Sequence, residues 1–577
     1  MNFEKIMTAE FSMVYSLLLH TANGAFPLPV TDIFSEESFD TEADGVRVTY
    51  RSFAAHGMTG VEVTAESDEA RTCFFSVCGE GAGELYSFDE LITKERVIRQ
   101  SPHDYKKYSF RIDGSAMPAL AVRTDETVIF LSDHPGHCDN YTTQHYMPDA
   151  HKFCFSSGDP GGSPNFDGER FAPYYHKVGG GVTHTFRYFI KRCDAASIKA
   201  IRREMFLMTD AAFGDACGKL YHAVSFGSNY MHYRRNESGT SRFWIVPGIQ
   251  YANCQYARDS FYQTWILPAE MEYECYRAFR KDWITRAENP LFYLIWSYRV
   301  AAKGGQPDLA LAKKAFDIMM DCLHKGGRGE FLPNGDEHGA FRNWFDICCY
   351  EFDDIDAYSQ GICVCALRAA RELGFDIGDE YELATECYLS LFNGEYLPLS
   401  RKKPWLSVDV SVGDLLHALL FGQTILPDGI MLSTYDRIMH SRAATPYGVK
   451  VVSAPDGEYL PIEAYGAYGF VHPEMARMDL GRYANGGSYH IYEMMFHIAA
   501  YLHGAPDAVD NMIRRLFIDL NFDGATHEYM HTVKGNGVKA NQGWNAAIWA
   551  MWDKLCRDGR GDVRFFAAAE KRLGELQ

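Results

Sequence analysis

The chain changes its hydrophobic period once, near residue 195, and that change limits the fold more than any motif does. Before it, apolar residues alternate over short runs: GVRVTYRSF at 45–53, TGVEVTAES at 59–67, ARTCFFSVCG at 70–79, ETVIFLSD at 126–133 and THTFRYFIKR at 183–192. Successive side chains of a strand point to opposite faces, so a two-residue period broken by turn residues predicts an antiparallel β-sandwich. After it, AASIKAIRREMFLMTDAAF sets Ile198, Ile201, Met205, Leu207 and Met208 at helical spacing. From there on, helical patterns alternate with Gly- and Pro-rich loops; PLFYLIWSYRVAAKG, LALAKKAFDIMMDCLHKG, SQGICVCALRAARELG, DLLHALLFG, YHIYEMMFHIAAYLHG and WNAAIWAMWDKLCRD are the clearest. Many end in a glycine, which closes a helix in the left-handed conformation without a Cβ clash. The expected organisation is multidomain, β plus all-α: a β-sandwich over 1–195, a linker helix over 196–215 and a helical domain over 216–577. At about 30 residues per helix-loop unit the last part holds about twelve helices. A closed double ring of α-hairpins and an open solenoid both fit that number.

Charge and composition remove several function classes. The net charge is −20 and no Lys/Arg block occurs, so neither nucleic acid nor an anionic membrane is an expected partner. No apolar run reaches the length of a membrane span. The N-terminal stretch from Phe11 to Leu19 is apolar, but Glu4 and Glu10 interrupt its approach and no small-residue cleavage site follows. It reads as a buried segment rather than a signal peptide. The 15 cysteines show no disulfide or CxxC spacing, which suits a reducing, cytoplasmic setting. His134, His137, Cys138, His145, His151 and Cys154 cluster without the spacing of a closed zinc site. Walker A, G-x-S-x-G and dinucleotide fingerprints are missing.

Four loops between the helical patterns are richer than connectors need to be. IQYANCQYARDSFYQTW at 249–265 sets Arg258 and Asp259 among Tyr251, Tyr256, Phe261, Tyr262 and Trp265. A charged pair inside an aromatic loop is costly unless hydrogen-bonded, and a polyhydroxylated ligand could bond both members. A structural ion pair at a helix start is the plain alternative. RNWFDICCYEFDDIDAYSQ at 342–360 holds Asp346, Glu351, Asp353, Asp354 and Asp356 beside Trp344, Phe345, Tyr350, Phe352 and Tyr358. Carboxylates near one another and near apolar walls raise each other's pKa, as a general acid requires. An acidic helix cap or a calcium loop are the alternatives, although the EF-hand spacing is missing. LGRYANGGSYHIYE at 480–493 brings Gly486 and Gly487 before a helix, where backbone can approach a ligand or simply turn. GATHEYMHTVKGNGVKANQGW at 524–544 contains Glu528 and the literal metalloprotease pattern His527-Glu528-Tyr529-Met530-His531. That pattern binds zinc from the middle of a helix, and the glycines around this one predict a loop.

Taken in order, these segments resemble the six-hairpin glycosidases, and bacterial glucoamylases most in layout. RDSFY at 258–262 resembles their Arg-Asp step, NWFD at 343–346 with DDIDAYSQGICVCAL their acid-bearing segment, and RYANGGSYHIY at 482–492 their Tyr-x-Asn-Gly-Gly loop. HEYMHTVKGNGVKANQGWNAA at 527–547 is similar to the loop that carries their catalytic base. The resemblance implies a C-terminal (α/α)6 barrel and an enzyme that cleaves a terminal sugar from a glycoside. It implies Asp346 as general acid, with Glu351 or Asp354 as substitutes, and Glu528 as general base. It implies Arg258, Asp259, Tyr256, Trp344, Tyr483, Asn485 and Trp544 as sugar-binding residues, with no metal and no cofactor. A carbohydrate is the expected partner, and self-association into a homo-oligomer stays open. A glycoside phosphorylase is the nearest alternative, because His527, His531, Thr532 and Lys534 flank Glu528. A non-catalytic sugar-binding protein and a zinc peptidase are the others. Aromatic residues make up 14% of the chain and crowd the same four loops, where flat rings suit the C–H faces of a sugar.

Overall fold

The computed structural model describes residues 14–55, 57–80, 84–87, 90–91, 110–111, 114–115, 119–123, 126–132, 143–147, 152–158, 175–193, 230–235, 241–245, 256–267, 269–279, 281–285, 288–327, 329–333, 353–461, 464, 480–540 and 542–576. The chain divides into two compact units, Met1–Asn253 and Cys254–Gln577. The first carries antiparallel sheets and the second carries helices.

In the first unit every alternating run forms a strand: Val46–Ala55, Met58–Glu66, Arg71–Glu80, Thr127–Ser132 and His184–Cys193. The apolar N-terminal stretch becomes the strand Val14–Thr21, which buries Leu17 and Leu19 and pairs with Arg71–Glu80. An eight-stranded sheet runs from Ser38–Ala43 through the Val46–Ala55, Met58–Glu66 and His184–Cys193 strands to Glu90–Leu91. A seven-stranded sheet is built around Arg71–Glu80. Both feed one apolar core, in which Phe75, Val77 and Phe155 meet Val48, Val63, Phe186 and Tyr188. Rings make contacts between the sheets: Phe130 lies 5.8 Å from Phe153, and Phe155 lies 6.1 Å from Phe186. The linker helix expected at 196–215 lies outside the described residues. Beyond it, Tyr230–Arg235 and Ser241–Ile245 form a hairpin that pairs with Gly114–Ser115, so strand persists past residue 216, where helices were expected. Neither YMHYRR nor SRFWI alternates cleanly, and runs of six and five residues do not stand out beside long helical patterns.

Twelve α-helices occur among the described residues of the second unit: α1 Ala257–Gln263, α2 Ala269–Arg277, α3 Asn289–Ala302, α4 Leu309–Gly326, α5 Ala357–Glu372, α6 Glu380–Ser390, α7 Val412–Phe421, α8 Asp428–Met439, α9 His490–Leu502, α10 Ala508–Asp523, α11 Ala546–Arg557 and α12 Arg564–Glu575. They alternate in character. Helices α1, α3, α5, α7 and α9 are buried almost all round, as helices inside a protein must be. Helices α6, α8 and α12 bury a single stripe. Contacts run α1–α3, α3–α5, α5–α7, α7–α9, α9–α11 and α11–α1, while α4, α6 and α10 each pack against the buried helix that precedes them. The crossing of α5 and α7 is close because two glycines face each other: a Cβ on Gly413 would stand 2.0 Å from the carbonyl carbon of Gly361. Among the described residues no helix is long and apolar enough to cross a membrane.

Candidate active site

Helix α1 is only seven residues long, and all of them are buried. Its start is fixed from outside, by Asn289 Oδ1, which accepts from the Ala257 amide at 2.9 Å. The residue before that asparagine completes the arrangement. Arg258 donates through Nε and Nη2 to Asp259 Oδ2, at 3.0 and 2.7 Å, and through Nη1 to Glu288 Oε1 at 2.5 Å. The dipeptide Glu288–Asn289 thus holds both the charge and the backbone of the Arg258 helix. The guanidinium lies 5.2 Å from the Trp544 ring and 5.8 Å from that of Tyr256. Cations over aromatic faces gain about 0.5–2 kcal/mol.

The protonation pattern follows from two buried carboxylates sharing one guanidinium. Burial pushes Asp259 up against the pull of Arg258. Burial also pushes Glu288 up to about 7; Arg258 opposes the shift, the charge of Asp259 adds to it, and Tyr358 lies close enough to temper it. Arg258 would fall through burial, but Asp259 and then Glu288 hold its proton far more tightly than usual. Burial raises the phenols of Tyr262, Tyr358 and Tyr492 around them well above the ordinary tyrosine value.

Glu528 lies on the strand His527–Met530 and is almost fully buried. That strand pairs Tyr529 with Tyr489 and Met530 with Ser488. An aromatic run leads from it to the arginine: Tyr529 to Tyr489 at 5.3 Å, Tyr489 to Trp544 at 6.4 Å, then Trp544 to Arg258. Tyr483 joins the run at 5.8 Å from both Tyr489 and Tyr529. It holds a φ of +48°, a conformation that L side chains avoid, and its carbonyl accepts from the Gly487 amide at 2.7 Å. The two glycines after it are explained by packing: a Cβ on Gly487 would strike the Tyr483 carbonyl, and one on Gly486 the Tyr459 ring. Asn485 closes the same turn, its amide bonding the Arg482 carbonyl and its carbonyl the Gly481 amide. The indole Nε1–H of Trp544 is buried and has no acceptor among the described residues.

Of the expected site residues, Arg258, Asp259, Tyr256 and Trp544 come together, and Tyr483 and the Glu528 strand join them through tyrosines. Asp346, Trp344 and Glu351 lie outside the described residues. The acids after them are engaged in structure. Asp354 accepts from the Ser400 hydroxyl at 2.6 Å and the Lys402 amide at 3.0 Å, Asp353 pairs with Lys402, and Asp356 caps α5 through the Ser359 amide at 2.7 Å. Asp354 is a loop anchor, which speaks against it as a substitute acid. The first four residues of the His-Glu-x-x-His match form a strand and His531 lies just past its end, so the two histidines do not share the helical face that the zinc motif requires. His527 Nδ1 faces Asp519 at 3.4 Å, and His531 Nδ1 accepts from the amides of Val533 and Lys534. Neither histidine is placed to share one zinc ion with the other. Sequence reasoning missed Glu288; its one signal was the Glu-Asn-Pro that opens α3, where an acid and an Asn before a proline mark a helix start.

No protein-family profile matches the chain, and no curated protein sequence does. Among solved structures, a GH63 mannosylglycerate hydrolase from Thermus thermophilus in complex with Tris and D-glycerate is 10% identical, covering 59% of this chain and 99% of its own, with a TM-score of 0.36. A bacterial glucoamylase complexed with acarbose is also 10% identical, covering 98% of this chain and 91% of its own, with a TM-score of 0.36. An uncharacterized conserved protein from Thermus thermophilus is 12% identical over 54% of this chain and 95% of its own, again at 0.36. At such identities and TM-scores these likenesses fix neither a family nor an activity.

Proposed function

We propose that the chain is a glycoside hydrolase that removes a terminal sugar by an inverting, two-carboxylate mechanism. One observation carries the reading: a guanidinium and two carboxylates sit together, walled by Tyr256, Tyr492 and Trp544, with a buried indole N–H beside them. A sugar ring offers C–H faces to such walls and hydroxyls to such donors and acceptors. In this proposal Asp346 protonates the leaving oxygen and Glu528 activates water across the ring, roughly 6.5–9.5 Å away. Arg258, Asp259, Tyr256, Trp344, Tyr483, Asn485 and Trp544 hold the sugar. The circuit of helix contacts from α1 back to α1 supports an (α/α)6 barrel around this group. The proposed domain plan is a β-sandwich, a linker helix at 196–215 and that barrel.

Hydrolysis is preferred to phosphorolysis because two of the groups that could bind phosphate are engaged within the protein. The Thr532 hydroxyl donates to the Gly486 carbonyl at 2.6 Å, and His531 caps its own turn. The test is turnover of α- and β-glycosides, with and without phosphate, following the product anomer by NMR. Glu528→Gln and Asp346→Asn are each expected to lower kcat by roughly 10²–10⁴-fold. Wild-type rates in either variant would remove that residue's role, and turnover only with phosphate would replace hydrolysis by phosphorolysis.

A further inference from the structure

We propose that Glu288 is a positioning residue for Arg258, and that the sugar site holds its binding geometry only while Glu288 is ionised. The proposal rests on the sugar-site reading above and adds a residue to it. Asp259 follows Arg258 directly in sequence, so its ion pair moves with the arginine and cannot aim it. Glu288 stands at the start of α3 as its N-cap residue, 30 residues on, and takes the one nitrogen that Asp259 does not hold. Its own backbone is fixed: its carbonyl accepts from the Leu291 and Phe292 amides, and the adjacent Asn289 side chain is bonded to the start of α1. Arg258 is therefore clamped between its own helix and α3, against the ring of Trp544.

The groups facing Glu288 are Arg258, Asp259 and Tyr262 on α1, Tyr358 on α5 and Tyr492 on α9. The three phenols stay neutral through the accessible pH range, so Glu288 and Asp259 are the groups in the cluster able to change charge. With burial pushing Glu288 up to about 7, the clamp loosens as pH falls through neutrality. A protonated Glu288 still occupies the space, but it no longer opposes the guanidinium with charge.

The experiment compares wild type, Glu288→Gln and Glu288→Asp on a panel of neutral monosaccharides and their 4-nitrophenyl glycosides. Binding is measured by calorimetry and turnover by KM and kcat, between pH 6 and 8. In wild type, Kd and KM are expected to rise about tenfold from pH 8 to pH 6, as expected for a single group titrating near 7. Glu288→Gln should bind with the weak, low-pH affinity at every pH, with KM changed more than kcat. Glu288→Asp should bind more weakly than wild type yet keep the pH dependence, which shows that charge and not folding is at stake. A Glu288→Gln protein with wild-type affinity and slope overturns the proposal, as does loss of the slope in Glu288→Asp. Binding without turnover removes the hydrolase reading and leaves this one standing. A panel in which no member binds removes both.

Discussion

Two buried clusters in the helical unit contain nearly the same charges and titrate in opposite directions. Around Arg258, the carboxylates Asp259 and Glu288 are both raised. Around Arg515, the carboxylates Glu493 and Asp519 are both lowered, although burial acts on them in the same way. The difference lies in donors. Glu493 Oε2 accepts from the Ser488 hydroxyl at 2.6 Å and the Val449 amide at 2.9 Å, with Arg515 at 3.0 Å and His497 nearby. Asp519 has Arg515 at 2.7 Å, His490 at 2.6 Å and His527 at 3.4 Å. Asp259 and Glu288 share one guanidinium and otherwise face aromatic walls. A buried carboxylate falls when donors replace the water it lost and rises when they do not. Donors from several elements crowd the Arg515 carboxylates, whereas the Arg258 carboxylates share one guanidinium beside an indole N–H that has no acceptor among the described residues, an arrangement that suits a ligand better than a structural anchor does.

The comparison breaks most visibly at Asp519. Asp519→Asn removes a charge that Arg515 and two histidines were holding, so the helical unit is expected to lose about 3–5 kcal/mol of stability. Asp259→Asn leaves the buried Arg258 with Glu288 as its one charged partner, so it too is destabilising, but less so than Asp519→Asn because burial works against the Asp259 charge, and it should weaken sugar binding. Unfolding monitored by circular dichroism measures both. Equal losses would mean the two clusters are the same kind of object.

The pH dependence of stability sharpens the contrast. Glu288 lies above its ordinary value of 4.5, so the folded chain binds its proton more tightly than the unfolded chain does. The stability it contributes is complete below about 4.5 and is lost as pH rises toward about 7, on the order of 3 kcal/mol at most. Glu493 and Asp519 act with the opposite sign: their contribution is complete above the ordinary carboxylate values and is lost as pH falls below them toward the lowered folded values. The stability difference between Glu288→Gln and wild type should therefore grow in favour of the variant from pH 4.5 to 7. A difference that stays flat over that window rejects the raised acid.

How far the sequence foretold all this depends on the range of the forces involved. The helices Leu309–Gly326 and His490–Leu502 were legible because each is a long run rich in apolar residues that a glycine closes within two residues. The strands of the first unit were legible for the same kind of reason, since alternation is local. Outer helices such as Glu380–Ser390 were not singled out: EYELATECYLS carries three acids and buries only Ala384, Cys387 and Tyr388. Arg258, Asp259 and Trp544 could be named as a site because charged and aromatic types crowd short segments. Glu288 could not, because its meaning lies in a contact 30 residues back, and no local period encodes which distant charge an acid will meet. The double glycine at 486–487 shows the converse error: a signal open to a ligand reading was satisfied by a ring and a carbonyl of the protein itself.

The smallest expected effect isolates the leftover donor. Trp544→Phe keeps an aromatic face beside Arg258 and Tyr492 but deletes the indole N–H. Among the described residues that N–H bonds nothing, so its removal should leave stability changed only by the smaller ring. If a sugar hydroxyl accepts it in the complex, binding weakens by about 1 kcal/mol, roughly fivefold, with the pH slope set by Glu288 unchanged. Calorimetry on the variant separates the alternatives. Unaltered affinity would mean the donor faces no ligand, and the ligand reading of the Arg258 cluster would then rest on Asp259 and Glu288 alone.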